Sequence, residues 1–461
     1  MREFELIIDE ALKIGLSPLL VTPTNSQLLK KCLGFRVGRS GLRVYQEKSN
    51  PLPAALSLSY IWPFPQFIAG DAYNLLIVRT STGDNVYTVS DDHQTVTLAA
   101  SIASATYGQG TLMEVADFGE YLFMTNGVVM IYWNVVTSSW TLITTSSVVP
   151  MMKAICNFKG QIVGGNIVST WHDCDETFYV WSKIGQMNFT PDNYNLAGYR
   201  RDPHGGEVYH TMRLGDNVIG YSSEGITLIS PVSSPAATFG FTELDNVGLI
   251  NKGAVSGDLN RQVYLGEDYI LREVTRQGIK ELGYEYFMKQ LAGEDIIITY
   301  DKKYKDFYIG NSEKTFLLSP NGMTEIPQHP SAVWRRNNET YMLPDSVDNF
   351  EYTIGTWPFD MQFAGNKTVF SIESDLQYRD NPRVAVDYYN NPNEFSTTLY
   401  KPLNNQNIGG PIISGSMLGF NLKFKAICNA DPQISYIKVR YKMTDLRGLR
   451  GVYAPPIRGQ G

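Results

Sequence analysis

The chain has 461 residues, 43% of them hydrophobic and only 18% charged, with 28 tyrosines and a formal net charge of −7. Ordinary apolar content excludes a disordered or collagen-like polymer. Low charge with abundant Tyr is the composition of surfaces buried inside assemblies, and the negative balance argues against a bulk nucleic-acid binder.

Four cysteines, Cys32, Cys156, Cys174 and Cys428, with no CxxC pair, exclude a disulfide framework and the strong zinc and redox spacings. They read as structural thiols. The opening MREFELIIDEALKIGL carries early acids and no uninterrupted apolar core, so it does not read as a secretory signal. No window of about 18 apolar residues predicts a membrane-spanning helix. A soluble protein without membrane insertion is expected.

Helical signals are few. Phe4 to Ile14 predicts a first helix, Asn25 to Leu33 a second with Gly34 as its stop, and Lys280 to Leu291 a third. Nearly everything else reads as short β-runs bounded by turn residues, with hairpin turns at Gly83-Asp84, Asn126-Gly127, Glu224-Gly225 and Asn321-Gly322.

One pattern recurs: an apolar residue, two turn residues, then an apolar strand often ending in Gly. The copies begin at Phe118, Phe158, Leu214, Leu259 and Tyr304, with a weaker one at Ala72, in steps of about 40 to 56 residues. A β-unit of that period suits a propeller blade of four antiparallel strands, because one blade cannot bury both faces and must stack on neighbours. The fold expected is all-β: a β-propeller of about six blades over residues 67–345, short N-terminal helices, and a C-terminal β-sandwich. The sandwich is expected over 350–448, where Phe420 to Ile427 and Ile434 to Met443 alternate apolar and polar residues. Residues 1–66 are expected to pack on the other modules, and 449–461 form a basic tail.

Charge is segregated. Leu28 to Lys48 carries net +5, Tyr436 to Gly461 net +5, and the rest −17. The propeller body is therefore expected to be acidic between two basic flanks.

Catalytic signatures are missing. There is no phosphate-binding loop in a strand-to-helix context and no GxSxG elbow. His172-Asp173-Cys174-Asp175-Glu176 concentrates ligand types, but adjacent residues on an extended strand face opposite ways, so a solvated acidic loop is expected. His204 and His210 flank Gly205-Gly206 as ordinary hairpin histidines. The nearest approaches to a sialidase Asp box, at Ser222 and Ser319, lack its Asp and Trp. Acid pairs such as Asp91-Asp92 and Glu294-Asp295 occur, but glycosidase chemistry needs two carboxylates held about 5 to 9.5 Å apart. No enzyme activity, cofactor or metal is expected. The alternative is a carbohydrate-binding or glycosidase-like propeller that stacks sugars on Trp133, Trp140, Trp171 and Trp181.

Several segments together carry a family likeness. These are Thr22 to Leu28, Gly34-Phe-Arg-Val-Gly38 with Gly41-Leu-Arg43, and Trp62-Pro-Phe-Pro-Gln-Phe67. Ile279 to Tyr284, Ile296 to Asp301, Lys305 to Tyr308 and Arg447-Gly-Leu-Arg450-Gly complete the set. In order and style the chain resembles the β-propeller tail hub or nozzle proteins of short-tailed double-stranded DNA bacteriophages. The resemblance implies a structural virion protein located in the tail. It implies a homo-oligomeric ring, a homohexamer, below the portal and adaptor and beside tail fibre or needle proteins. That ring would close the tail channel and conduct genomic DNA during ejection. An acidic body suits passage of a polyanion that a basic lumen would hold. Arg36, Arg39 and Arg43, with Arg447, Arg450 and Arg458, are expected on assembly surfaces, where complementary charge favours contact.

Overall fold

The recurring strand–turn–strand motif becomes a series of four-stranded antiparallel sheets in a computed structural model of the chain. The model describes residues 3–443 except 19–27, 46–65, 70–73, 82, 92–94, 104–112, 138, 144–145, 192–196, 233–237, 294, 328–329, 331, 337–338, 344–350, 362–365, 375–377, 380–382, 392–393, 398–400, 403–412, 416, 425 and 428–432. The fold is all-β. By internal contacts it divides into two units, one of residues 48–313 and 329–346, the other of 1–47, 314–328 and 347–461. Segment 314–328, read from the sequence as part of the repeat region, belongs to the second of these.

Among the described residues the first unit contains five four-stranded sheets, each a meander whose spatial order follows the chain. The first is Gln66–Ala69, Asn74–Thr80, Gly83–Val89 and Val96–Ala103. The second is Glu114–Phe118, Tyr121–Thr125, Met130–Asn134 and Ser139–Ile143. The third is Met152–Phe158, Gln161–Ile167, Phe178–Trp181 and Gly198–Arg201. The fourth is Val208–Leu214, Asn217–Ser222, Ile226–Pro231 and Phe239–Asp245. The fifth is Val255–Gly257, Arg261–Leu265, Leu271–Thr275 and Gly278–Gly283. Two hairpins follow, Ile297–Asp301 with Asp306–Gly310 and Ala332–Arg336 with Glu339–Leu343. The repeat copies mark one place in this series, the turn between the first and second strands. Phe118↔Tyr121, Phe158↔Gln161 and Leu214↔Asn217 close those turns in register. The weaker copy enters Asn74–Thr80, with Ala72 and Tyr73 outside the described residues.

Strands buried on both faces explain why the runs are so apolar. Leu75, Ile77 and Val86 of the first sheet pack on Leu122, Met124, Ile131 and Trp133 of the second. Phe123 and Met130 pack on Met152, Ile155 and Val180 of the third. Phe158, Tyr179 and Trp181 then pack on Val208, Val218 and Phe239 of the fourth. First strands lie against first strands: Glu114–Phe118 on Met152–Phe158, which lies on Val208–Leu214; Val255–Gly257 on Ile297–Asp301; and Ala332–Arg336 on both Ile297–Asp301 and Gln66–Ala69. Buried hydrogen bonds stitch neighbours together. Thr125 Oγ1 donates to Met152 O at 2.7 Å, and Tyr221 Oη to Gln262 Oε1 at 2.7 Å. Tyr264 Oη donates to Asp245 Oδ2 at 2.6 Å. Tyr179, Tyr221, Tyr264 and Tyr308 are fully buried in the sheets, so part of the tyrosine excess belongs to the cores.

The second unit is discontinuous. One of its sheets orders Glu3–Ile8, Ile437–Met443, Lys367–Ser374 and Ile413–Gly415. A larger one runs through Thr315–Ser319, Gly322–Ile326, Leu29–Leu33, Tyr352–Thr356, Met417–Phe424, Arg383–Asn391 and Glu394–Thr397.

Three helix expectations need correction. Glu3–Ile8 is a strand, and helix begins only at Glu10, running to Ile14. Its residues alternate outward and inward, a period of two that outweighs the helical spacing once Ile437–Met443 supplies a partner. Leu29–Leu33 is also a strand, paired with Tyr352–Thr356 across the sequence, while Asn25 to Gln27 lie outside the described residues. In the third case Gly278–Gly283 closes the fifth sheet, and only Glu285–Met288 and the 3-10 turn Lys289–Leu291 are helical.

Lys367 is fully buried in this unit, and burial pushes its ammonium down to about 8 against the pull of Asp360. Between about pH 8 and its ordinary 10.5 the unfolded chain therefore binds the extra proton. Stability supplied at this site is missing below that window and rises through it with pH. Lys367→Met should stabilise the fold at neutral pH by about 1–3 kcal/mol. The advantage should shrink as pH rises through the window in thermal melts; an advantage unchanged with pH would refute the assignment.

Candidate functional site

Phe35–Val37 and Leu42–Val44 form a hairpin that pairs with Gln433–Ile434. Phe35, Val37 and Leu42 are fully buried, which fixes the hairpin and turns the alternate residues outward. Arg36 stands directly opposite Arg43 on that outer face, and Arg39 sits in the connecting turn. Arg39 and Arg43 are exposed and Arg36 half-buried. Anchors hold the backbone beneath them: Thr324 Oγ1 donates to Phe35 O at 2.6 Å and Ser319 Oγ to Val37 O at 3.4 Å. Gly41, at φ +149°, is needed because a Cβ there would lie 2.1 Å from Ile434 O. The structure thus brings together three of the six expected arginines. Arg447, Arg450 and Arg458 lie outside the described residues.

The other basic flank differs from its net charge. Lys438, Arg440 and Lys442 recur every second residue along Ile437–Met443 and meet carboxylates of the neighbouring strands. Lys438 Nζ lies 3.0 Å from Glu5 Oε1, and Lys442 Nζ 3.1 Å from Glu3 Oε1. Arg440 reaches Glu5 and Glu373, both at 3.4 Å. The hydrogen bond from Lys438 holds the Glu5 carboxyl below its usual range. Along Ile437–Met443 each of the three cations therefore has a carboxylate on a neighbouring strand. The described part of that flank is neutralised within its own sheet, and no signal in the local sequence links Glu3 and Glu5 to it beyond their period of two.

In the first unit, a polar cavity of about 720 Å³ opens on the third sheet, lined by Lys153, Asn166, Trp171, Asp173, Asp175 and Glu207 among others. Asn166 is fully buried with φ +60°. Its Nδ2 donates to Glu207 Oε1 at 2.8 Å and to Val208 O at 3.0 Å, while its Oδ1 has no donor. Lys153 and Lys252 each place Nζ 3.5 Å from Glu207 Oε1. Burial opposes the Glu207 charge, but Asn166 and the two lysines outweigh it and hold its carboxyl below the usual range. Burial, reinforced by Lys153, pushes Lys252 down. Sequence reasoning missed this group; its one signal is Gly164-Gly165-Asn166, turn residues inside an apolar strand. A separate apolar cavity of about 290 Å³ on the second sheet is lined by Phe118, Tyr121, Phe123, Tyr132, Ile143 and Met187.

The remaining candidates have local roles. Asp175 Oδ1 accepts from Thr177 N at 2.9 Å and Thr177 Oγ1 at 2.6 Å, which orders the acidic loop and lowers its carboxyl. Among the described residues no group of three or more His, Cys, Asp or Glu could hold a metal ion. His204 and His210 have different neighbours, Ile226 O at 3.3 Å and Glu114 Oε1 at 2.7 Å. Trp133, Trp171 and Trp181 are buried, and Trp140 stacks on Trp133 at 5.6 Å. Cys32, Cys156 and Cys174 are buried and free. Burial pushes the Cys156 thiol up to about 12 and Cys174 to about 11. Cys428 lies outside the described residues. No helix among the described residues is long and apolar enough to cross a membrane.

No family model matches the chain, and no curated protein matches it. Among solved structures it is similar to the extracellular domain of a putative hybrid two component system from B. thetaiotaomicron. That match has TM-score 0.43 and 11% identity over 71% of this chain and 43% of the other. It is also similar to PorZ, a surface component of the type-IX secretion system of Porphyromonas gingivalis. There the TM-score is 0.38 and the identity 10%, over 62% of this chain and 36% of that one. The chain spans less than half the length of either protein.

Proposed function

We propose that this chain is a structural subunit of a short-tailed bacteriophage virion. In this reading several copies form the tail hub or nozzle ring, a hexamer by family resemblance, that closes the tail channel and conducts DNA. The sequence of meander sheets is read as a β-propeller. Its blades are the four-stranded meanders, with the contact of Ala332–Arg336 on Gln66–Ala69 closing the circle. The second unit is read as the β-sandwich, completed by N-terminal strands. Neighbours would be the portal-side adaptor and fibre or needle proteins.

The observation that carries the reading is the arginine hairpin. Three guanidinium-bearing residues, two of them exposed, stand on one short hairpin anchored by Thr324 and Ser319. A cluster of like charge on one hairpin suits contact with an acidic neighbour in a ring.

The triple variant Arg36→Ala, Arg39→Ala, Arg43→Ala tests it. Exposed ion pairs contribute about 0 to 1 kcal/mol each, so the subunit should remain folded. Its oligomer, followed by mass photometry, should dissociate at lower salt than the parent, because exposed charges more than about 8 to 10 Å apart are screened. Tailed infectious particles at parental yield from the triple variant, with parental salt sensitivity, would sink the reading.

A further inference from the structure

We infer that the apolar cavity on the second sheet receives Val452-Tyr-Ala-Pro-Pro-Ile457 from the tail of a second copy of this chain. Four rings of its lining form a continuous strip. Phe118 meets Phe123 at 5.5 Å, Phe123 meets Tyr132 at 5.9 Å, and Tyr132 meets Tyr121 edge-on at 5.2 Å. Phe123 is buried, but Phe118, Tyr121, Tyr132 and Met187 are only half-buried, which leaves the strip partly open to water. At about 290 Å³ the cavity lies at the small end of ligand pockets, a size for a few residues of extended chain and not for a helix about 10 Å across. Among the described residues no charged side chain lines it, so an ion entering would lose hydration without a partner. The polar side-chain groups of the lining are the Tyr121 and Tyr132 hydroxyls, and no hydrogen bond among the described residues engages either.

The tail supplies what such a lining selects. Residues 452–457 are uncharged, and they hold the one aromatic residue and the two prolines that follow Met443. Each proline fixes its own φ near −65°, and Ala454, before Pro455, is biased to extended backbone. Little freedom is then lost on docking, and aromatic-lined grooves take such pre-extended segments. Prolines lack an N–H, so the segment offers mainly carbonyl acceptors, and the Tyr121 and Tyr132 hydroxyls are donors to match. Arg450 and Arg458 bracket the segment, and the exposed Glu120 stands in the turn that joins Phe118 to Tyr121. Tyr453 is ten residues past Met443, the last described residue, and ten extended residues reach at most about 36 Å. An arm of that reach suits contact with a neighbouring subunit. The inference rests on the ring reading for its second copy, and it gives the tail arginines a place on the neighbour.

The test puts a photo-cross-linking phenylalanine analogue at position 453 of the full chain and mixes it with a size-tagged parent copy. Irradiation should join the two copies, with the attachment mapped by mass spectrometry to residues 118–132 or 185–187. Met187→Glu in the receiving copy should cut the yield about tenfold without a matching fall in melting temperature. A peptide of residues 449–461 should bind the full chain saturably in fluorescence anisotropy. Its Tyr453→Ala form, which needs no change to the fold, should bind about tenfold more weakly. The inference is overturned if cross-links form only within one copy or attach elsewhere, if a scrambled peptide binds as well, or if Met187→Glu cross-links as the parent does. Copies that close into a ring without these cross-links overturn it and leave the ring reading in place. Cross-links between copies at the cavity, with no closed ring, support it and remove the ring reading.

Discussion

Arg79→Met should lower the stability of the protein by about 3–5 kcal/mol, the cost of leaving an uncompensated charge in a protein interior. Arg79 and Asp84 stand directly opposite on Asn74–Thr80 and Gly83–Val89, 4% and 0% exposed. The guanidinium meets the carboxylate through two parallel bonds, Nε–Oδ1 at 2.8 Å and Nη2–Oδ2 at 3.0 Å. Removing the arginine leaves Asp84 buried with no opposite charge. Adding Asp84→Leu should recover most of the loss, because the pair's net contribution is the small difference between attraction and desolvation. Denaturant titration of parent, single and double variants reads both numbers. A single-variant loss under about 1 kcal/mol would mean that water reaches the pair.

What could be read ahead of the structure depended on how far apart in sequence the cooperating residues lie. The sheets of the first unit were legible because their defining contacts are local. Phe158 and Gln161 close a turn across two residues, and the same turn recurs in the next sheet at Leu214 and Asn217. Asn126-Gly127 and Glu224-Gly225 likewise lie at the second turn of their sheets, between Tyr121–Thr125 and Met130–Asn134 and between Asn217–Ser222 and Ile226–Pro231. The N-terminal strands were illegible for the opposite reason. Glu3–Ile8 finds its partner in Ile437–Met443 and Leu29–Leu33 in Tyr352–Thr356, and a short apolar run without its partner fits a helix as well as a strand.

The candidate sites divide in the same way. Arg36, Arg39 and Arg43 are close in sequence, so their clustering was visible as net charge. The silencing of Lys438, Arg440 and Lys442 by Glu3 and Glu5 was not, because net charge counted over a window ignores a partner strand more than 400 residues away. Asn166 was hidden for a further reason. Its meaning lies in one unsatisfied atom, and satisfaction is a property of the packed chain. The tyrosines show how composition misleads in part. Tyr221 and Tyr264 meet edge-to-face at 5.7 Å within the fold, where they contribute to the stacking of sheets.

Gly15→Ala should be among the most destabilising single-methyl changes in the second unit, at about 3–5 kcal/mol. Gly15 ends the helix Glu10–Ile14 at φ +75°, and the next residue, Leu16, donates its N–H to Met323 O at 2.7 Å. A Cβ on Gly15 would lie 2.3 Å from that same carbonyl oxygen and 2.7 Å from Val37 Cγ2. Three sequence-distant segments converge there, so no one of them can move aside without disturbing the others. Two costs, backbone and contact, are mixed in the total, and a glycine in open space gives the comparison. Gly205 has nearly the same φ, +73°, with nothing within 4 Å of its would-be Cβ. Gly205→Ala should therefore cost only the left-handed backbone term, about 1–2 kcal/mol. The excess at Gly15 contains the close approach to Met323 and Val37 and the further backbone cost of its ψ of −135°, outside the left-handed helical region. Limited proteolysis should show the N-terminal strands released in Gly15→Ala and retained in Gly205→Ala. Equal losses in the two variants, with no new cleavage near Gly15, would mean that the N-terminal segment is not clamped against Met323 as the structure places it.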